Sequence, residues 1–223
     1  MKKILALILG SLLAVCLFAS CNAKPEAAPV ENKPEDNNNV KVVSPLPASI
    51  DMDALDNCTV AVSLEEGGAY VDDEGKMVMD VTVYAYDLYD MVDIASLAEN
   101  DVIVRLGEEV KVASIERLDT GLININGGEE NGGFSLISND STVYYEVGMS
   151  DIKAYYELGK ATLPVFDEFT YTDESNLGAE PAEYFAGDFL AEGVITEYNF
   201  NPNNTSIVIQ DGYIVAMKKV YTP

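Results

Sequence analysis

Met77 to Tyr86 reads Met-Val-Met-Asp-Val-Thr-Val-Tyr-Ala-Tyr. β-Branched and aromatic residues in a period of two commit such a segment to a strand that can bury one face. The same texture runs through most of the chain from about Asp51 onward, and it constrains the fold more than any other feature.

Thr59 to Leu64 is a second strand, and the turn Asp72-Asp73-Glu74-Gly75 precedes the long one, which predicts a hairpin. Asp87 to Leu97 breaks the alternation. Met91, Ile94 and Leu97 recur at helical spacing, so a turn and one short helix are expected. Val102 to Leu106 and Val110 to Ile115 form another hairpin closed at Gly107-Glu108. Leu122 to Asn126 and Phe134 to Ser138 flank the loop Gly127-Gly128-Glu129-Glu130-Asn131-Gly132-Gly133. Thr142 to Val147 is a strand, Ile152 to Leu158 suits helix or strand, and Phe166 to Thr172 is a strand again. Pro181 to Ala186 allows a short helix with Pro in its first turn. Gly193 to Phe200, Thr205 to Gln210 and Tyr213 to Tyr221 predict a three-stranded meander, split by Asn201-Pro202-Asn203-Asn204 and Asp211-Gly212. The fold class expected is all-β: a single barrel- or sandwich-like domain of antiparallel hairpins with one or two short helices, over residues 51–223.

Residues 21–50 have a different texture, rich in Pro, Asn, Ala and charge, without apolar periodicity. Such a segment reads as a flexible linker. Val40 to Leu46 offers the alternative of an edge strand, since Pro45 and Pro47 argue against a central one.

The first residues are different again. Lys2 and Lys3 are followed by an almost wholly apolar run from Ile4 to Phe18, then by the small residues Ala19 and Ser20 before Cys21. This is the layout of a secretory signal peptide over residues 1–20. The run is shorter than the roughly 20 apolar residues a spanning helix needs. Leu17-Phe18-Ala19-Ser20-Cys21 resembles the lipobox of bacterial lipoproteins, with Phe18 where the pattern prefers Leu, Val or Ile. The resemblance covers this end of the chain alone. It implies a diacylglyceryl group on the Cys21 sulfur, cleavage before Cys21 and a further acyl chain on the freed amine. It also implies the membrane as a partner through that lipid, and a place outside the cytoplasm, at the cell surface or in the periplasm.

The chain has 13 Lys+Arg against 38 Asp+Glu and no His, a formal charge of -25; losing Lys2 and Lys3 with the signal makes it -27. Nucleic acid is excluded as a natural partner, because binding it depends on neutralising phosphates with Lys and Arg. Cys16 leaves with the signal and Cys21 takes lipid, so Cys58 is the single thiol of the mature chain. Its strand setting, without a neighbouring base, reads as a small buried hydrophobe.

Absence of His removes Ser-His and Cys-His nucleophiles and His-bearing metal sites. Ser150-Asp151-Ile152-Lys153 has the S-x-x-K spacing of penicillin-recognising serine enzymes but lacks their Lys-Thr-Gly and Ser-Asp-Asn elements. No cofactor is expected apart from Ca²⁺. Asp87, Asp90 and Asp93 lie three apart, so one helical turn would put their carboxylates side by side as oxygen ligands for it; a solvated acidic face is the alternative. Tyr84, Tyr86 and Tyr89, with the pairs 144/145 and 155/156, are candidate ligand-binding residues, as are Gly127, Gly128, Gly132 and Gly133. Half-buried packing explains the tyrosines as well.

The function these features support is a lipid-anchored, non-catalytic binding or scaffolding module of the cell envelope, with an envelope protein or glycan as partner. The alternatives are a Ca²⁺- or glycan-binding surface module and a carboxylate-dependent hydrolase.

Overall fold

The structure is a computed structural model that describes residues 40–48, 50–138, 142–148, 152–191 and 199–222. The signal peptide, Cys21, the linker as far as residue 39, and most of the strand expected over 193–200 lie outside the described residues.

In chain order the elements are β1 (Val42–Val43), β2 (Cys58–Ser63), β3 (Ala69–Val71), β4 (Met77–Tyr86), β5 (Leu88–Asp90), α1 (Met91–Ser96), β6 (Val102–Arg105), β7 (Glu108–Lys111) and β8 (Ile115–Arg117). They continue as β9 (Ile123–Ile125), β10 (Phe134–Ile137), β11 (Val143–Val147), β12 (Tyr155–Glu174), β13 (Ala182–Phe185), α2 (Ala186–Leu190), β14 (Thr205–Gln210) and β15 (Tyr213–Val220). Among the described residues the molecule is all-β with two short α-helices, as the alternation requires.

Five strands close a barrel. β2 pairs with β4, β4 with β12, β12 with β15, β15 with β14 and β14 with β2. All these pairings are antiparallel except β12 with β15. The fourth barrel strand thus returns beside the first, in Greek-key order, and five strands so connected have the architecture of an OB-type barrel. Architecture of this kind carries no ligand with it.

The twenty residues of β12 make closure possible. Its first half pairs with β4 up to Pro164↔Val78, and from Val165 onward it pairs with β15. Pro164 offers no N–H, so it sits at the end of one ladder just before the next begins. Pairing also settles the ambiguous stretch around Ile152–Leu158: Tyr155, Tyr156 and Glu157 lie opposite Tyr86, Ala85 and Tyr84 as strand.

Alternation fills the barrel with Val60 and Val62 of β2, Met79, Val81 and Val83 of β4, Ile207 and Ile209 of β14, and Ile214 and Met217 of β15. Phe189 of α2 packs against Phe169, Tyr171 and Phe200 at ring-centroid distances of 5.8, 5.2 and 6.2 Å. α2 is therefore held by its one fully buried ring.

A second core is built by β1 and by the residues between the second and third barrel strands in sequence. The sheets β1-β6-β7 and β5-β11-β10-β9-β8 enclose Val43, Tyr89, Ile94, Leu97, Ile103, Val112, Ile123, Ile125, Phe134 and Leu136. The hairpin β6–β7 turns through Leu106 and Gly107, both at positive φ, as a tight primed turn requires. Asn39–Pro223 nevertheless forms one compact unit.

Val42–Val43 pair in parallel with Val102–Ile103 at a sheet edge, and Val43 is buried; this is the edge strand offered as the alternative over Val40 to Leu46, within the expected linker of residues 21–50. Two expectations are corrected. Ala182–Phe185, expected as helix, pairs with β12, and the helix starts at Ala186. The meander is replaced by a hairpin: β14 has β15 on one edge and β2 on the other, and Phe200 bridges to Leu64 instead.

Candidate functional site

The tyrosines of β4 show how the backbone sorts this site. Tyr84 and Tyr86 share the outer face of the barrel, while Val83 and Ala85, which alternate with them, face inward and are buried. The ladder breaks at Asp87, and the next tyrosine falls on the other side. Tyr89 is fully buried in the second core, where its hydroxyl donates to the Val104 carbonyl at 2.9 Å and, more weakly, to Asp87 Oδ2 at 3.4 Å. Burial, then Asp87 and Glu146, hold its phenol far above the ordinary range. Tyr89 is a structural residue, separated from the surface it was expected to share with Tyr84 and Tyr86.

β12 completes the outer face. Tyr155 stands opposite Tyr86, and the Tyr86 ring meets the edges of Tyr155 and Tyr145 at centroid distances of 5.4 and 5.7 Å. The Lys153 ammonium lies 4.2 Å from the Tyr86 ring centre and 5.2 Å from that of Tyr145, and donates to the Tyr86 hydroxyl at 3.1 Å. This is a cation held against aromatic faces. Burial pulls the lysine pKa down, but the hydrogen bond to Tyr86 and the field of the three tyrosines outweigh it, so the net shift is upward. Lys153 is an ammonium at neutral pH.

Tyr86, Tyr155 and Lys153 line a cleft of about 300 Å³. Its floor is the outer face of the barrel, with Ser206, Ala61 and Tyr84 in cross-strand register on β14, β2 and β4. Tyr86, Tyr155 and Lys153 line it together with Leu46, Pro47 and Ile50. Leu46 is tied in place by its N–H, which donates to the Leu88 carbonyl at 2.6 Å. The last residues of the expected linker thus line the cleft. Tyr84 is fixed by a 3.2 Å hydrogen bond with Ser63.

The glycine loop builds a different place. Gly127 and Gly128 line a cleft of about 360 Å³ with Asn124, Glu129, Glu130 and Ser135. Gly127, Gly128 and Gly132 all have positive φ, which gives the loop its shape. Gly133 is bound by space: a Cβ there would stand 2.0 Å from the Ile125 carbonyl oxygen. Beyond this loop, Arg105 grips the buried Glu146 through Nε–Oε2 and Nη2–Oε1 hydrogen bonds of 2.6 Å each. A further cleft of about 510 Å³, lined by Glu65, Glu66, Asp80 and Lys160, lies on β4 and β12, where the Thr162 hydroxyl donates to Asp80 at 2.6 Å.

The three aspartates proposed for Ca²⁺ are used separately. Asp87 is buried and accepts from the Leu106 N–H at 2.7 Å. Asp90 caps α1 by accepting from Val92 N–H, and Asp93 pairs with Lys41 at 2.8 Å. The helix begins only at Met91, so Asp87 and Asp90 are not on it, and helical spacing does not apply to them. Among the described residues no group of three or more Cys, Asp or Glu is placed to hold a metal ion. Asp87→Ala should cost about 1–3 kcal/mol, because it removes the buried carboxylate that accepts from the Leu106 N–H; the urea midpoint of the purified variant measures this.

Sequence reasoning grouped Tyr84 with Tyr86 and noted Tyr145 and Tyr155, but Lys153 drew notice for its spacing from Ser150 and was set aside. Its signal was proximity to the Tyr155-Tyr156 pair. Cys58 begins β2 partly buried, and burial, then the nearby Asp56, raise its thiol pKa. Among the described residues no helix is long and apolar enough to cross a membrane. Comparison with protein-family models, with curated proteins and with solved structures found no match to this chain.

Proposed function

We propose that this protein is a lipid-anchored extracytoplasmic lipoprotein that acts in the cell envelope as a non-catalytic binding or scaffolding module. The observation that carries the binding role is the cleft walled by Tyr84, Tyr86, Tyr155 and Lys153. An apolar and aromatic concavity with a few convergent polar groups is the ordinary form of a ligand site. The anchor rests on the lipobox resemblance at Leu17–Cys21. The negative charge opposes nucleic acid and anionic lipid alike, so a covalent lipid would supply the membrane affinity that electrostatics cannot.

Two measurements test the two halves. Cys21→Ala should release the protein from the membrane fraction of growing cells or leave its leader uncut, whereas a variant processed and retained like the parent would refute the anchor. For the binding role, envelope material captured on the purified protein should be lost with Tyr86→Ala/Tyr155→Ala. Unchanged capture by that folded variant would move the contact surface elsewhere.

A further inference from the structure

We propose that this cleft recognises an acidic saccharide, with a uronate carboxylate on the Lys153 ammonium and the sugar ring against the tyrosine wall. The inference rests on the cleft being the binding site proposed above.

Charge placement is the first argument. The chain carries 38 acids against 13 bases, yet none of the described residues lining this cleft is acidic. The other clefts contain Glu65, Glu66 and Asp80, or Glu129 and Glu130, or Glu129 and Glu146. Lys153 also borders the last of these, but Glu146 is taken by Arg105 and no carboxylate among the described residues pairs with Lys153. An ammonium has three donors. One goes to the Tyr86 hydroxyl, and no acceptor for the others lies among the described residues. A partly buried ammonium with donors to spare gains most from an ionised acceptor, because charge-assisted hydrogen bonds are roughly twice as strong as neutral ones. Charges elsewhere on the surface are screened beyond about 10 Å at 0.1 M salt, so the local cation decides the sign.

The rest of the wall selects the kind of anion. Tyr84, Tyr86 and Tyr155 provide flat aromatic surface, and Thr59 and Ser206 add hydroxyls that donate or accept. This combination suits a ring with one apolar face and a hydroxyl rim. A peptide carboxylate fits less well, because extended peptides gain affinity by adding to a free strand edge. The floor strands β2, β4 and β14 have neighbours on both edges, so there is no edge to extend.

Calorimetric titration of the full-length protein in detergent at about 0.1 M salt, where the acidic surface is screened, tests this with three probes: trigalacturonate, its methyl ester and tetraglutamate. Trigalacturonate should bind at least about tenfold more tightly than the ester, which keeps the rings and removes the charge. Lys153→Met should weaken trigalacturonate by about tenfold or more and leave the ester unchanged, while Lys153→Arg retains binding. Ester binding equal to the acid, tetraglutamate binding as tight as trigalacturonate, or no heat with trigalacturonate would overturn the proposal. If Lys153→Met fails to fold, the acid-to-ester ratio on the parent and the Lys153→Arg variant still decide it. Where no probe binds but envelope capture still requires Tyr86 and Tyr155, the saccharide assignment falls and the binding role stands. Loss of both removes both.

Discussion

Phe189→Ala is expected to destabilise the protein by about 3–5 kcal/mol, the range for deleting a buried aromatic ring. α2 has a single fully buried side chain, and Phe189 is that residue. Its ring touches Phe169, Tyr171 and Phe200, which come from the third barrel strand and from the run leading into the fourth. Removing it leaves three aromatic neighbours facing a cavity that paired strands cannot collapse to fill. Urea unfolding of the purified variant measures the loss. Phe189→Leu, which keeps much of the volume, should lose roughly half as much. A change below about 1 kcal/mol for Phe189→Ala would mean that α2 is not seated on the barrel as described.

Gly133→Ala should be comparably damaging for a different reason. The added Cβ would lie 2.0 Å from the Ile125 carbonyl oxygen and 2.6 Å from that of Asn126. Both are backbone atoms at the end of β9, whose partner β10 begins at Phe134 opposite Ile125. Neither strand can move without opening the hairpin, so the cost should reach the top of the overpacking range, about 3 kcal/mol or more. Gly132→Ala is the control. Its Cβ would meet nothing within 4 Å, but φ is +81°, and the left-handed conformation should cost about 1–2 kcal/mol. Unfolding midpoints for the two variants, with amide exchange at Ile125 and Phe134, separate steric clash from backbone strain. Equal effects would show that space at Gly133 is not what requires glycine.

Local patterns foretold the hairpins because their causes are local. Asp72 accepts from the backbone of Glu74 and Lys76, and Gly75 supplies a positive φ; both residues were legible as a turn. Asp211 and Gly212 close β14–β15 in the same way, both at positive φ. The candidate site was legible in part. Period two placed Tyr84 and Tyr86 on one face, but the same period carried forward would not foresee that the ladder breaks at Asp87 and turns Tyr89 inward. Lys153 and Tyr155 reach the cleft because β12 pairs with β4 in one particular register, and a shift by one residue would have sent Tyr155 to the opposite face. The aspartates misled because spacing on a helix has meaning only where the helix exists, and α1 covers Asp93 alone.

Residue order by itself determined that this chain is built from strands, where the tight turns fall, that it is strongly acidic, and that its first residues resemble a lipoprotein leader. Those properties follow from side-chain period, backbone preference and charge, each read over a few neighbouring residues. Tertiary structure alone decided that five strands close on themselves, that Val43 and residues between Asp87 and Val147 make a second core, and that one lysine stands among tyrosines in a cleft with no acid among its described lining residues. The partners in each case lie far apart in sequence, as Tyr86 and Tyr155 do. Competition among alternative pairings for buried apolar surface selects them, and no local window contains that choice.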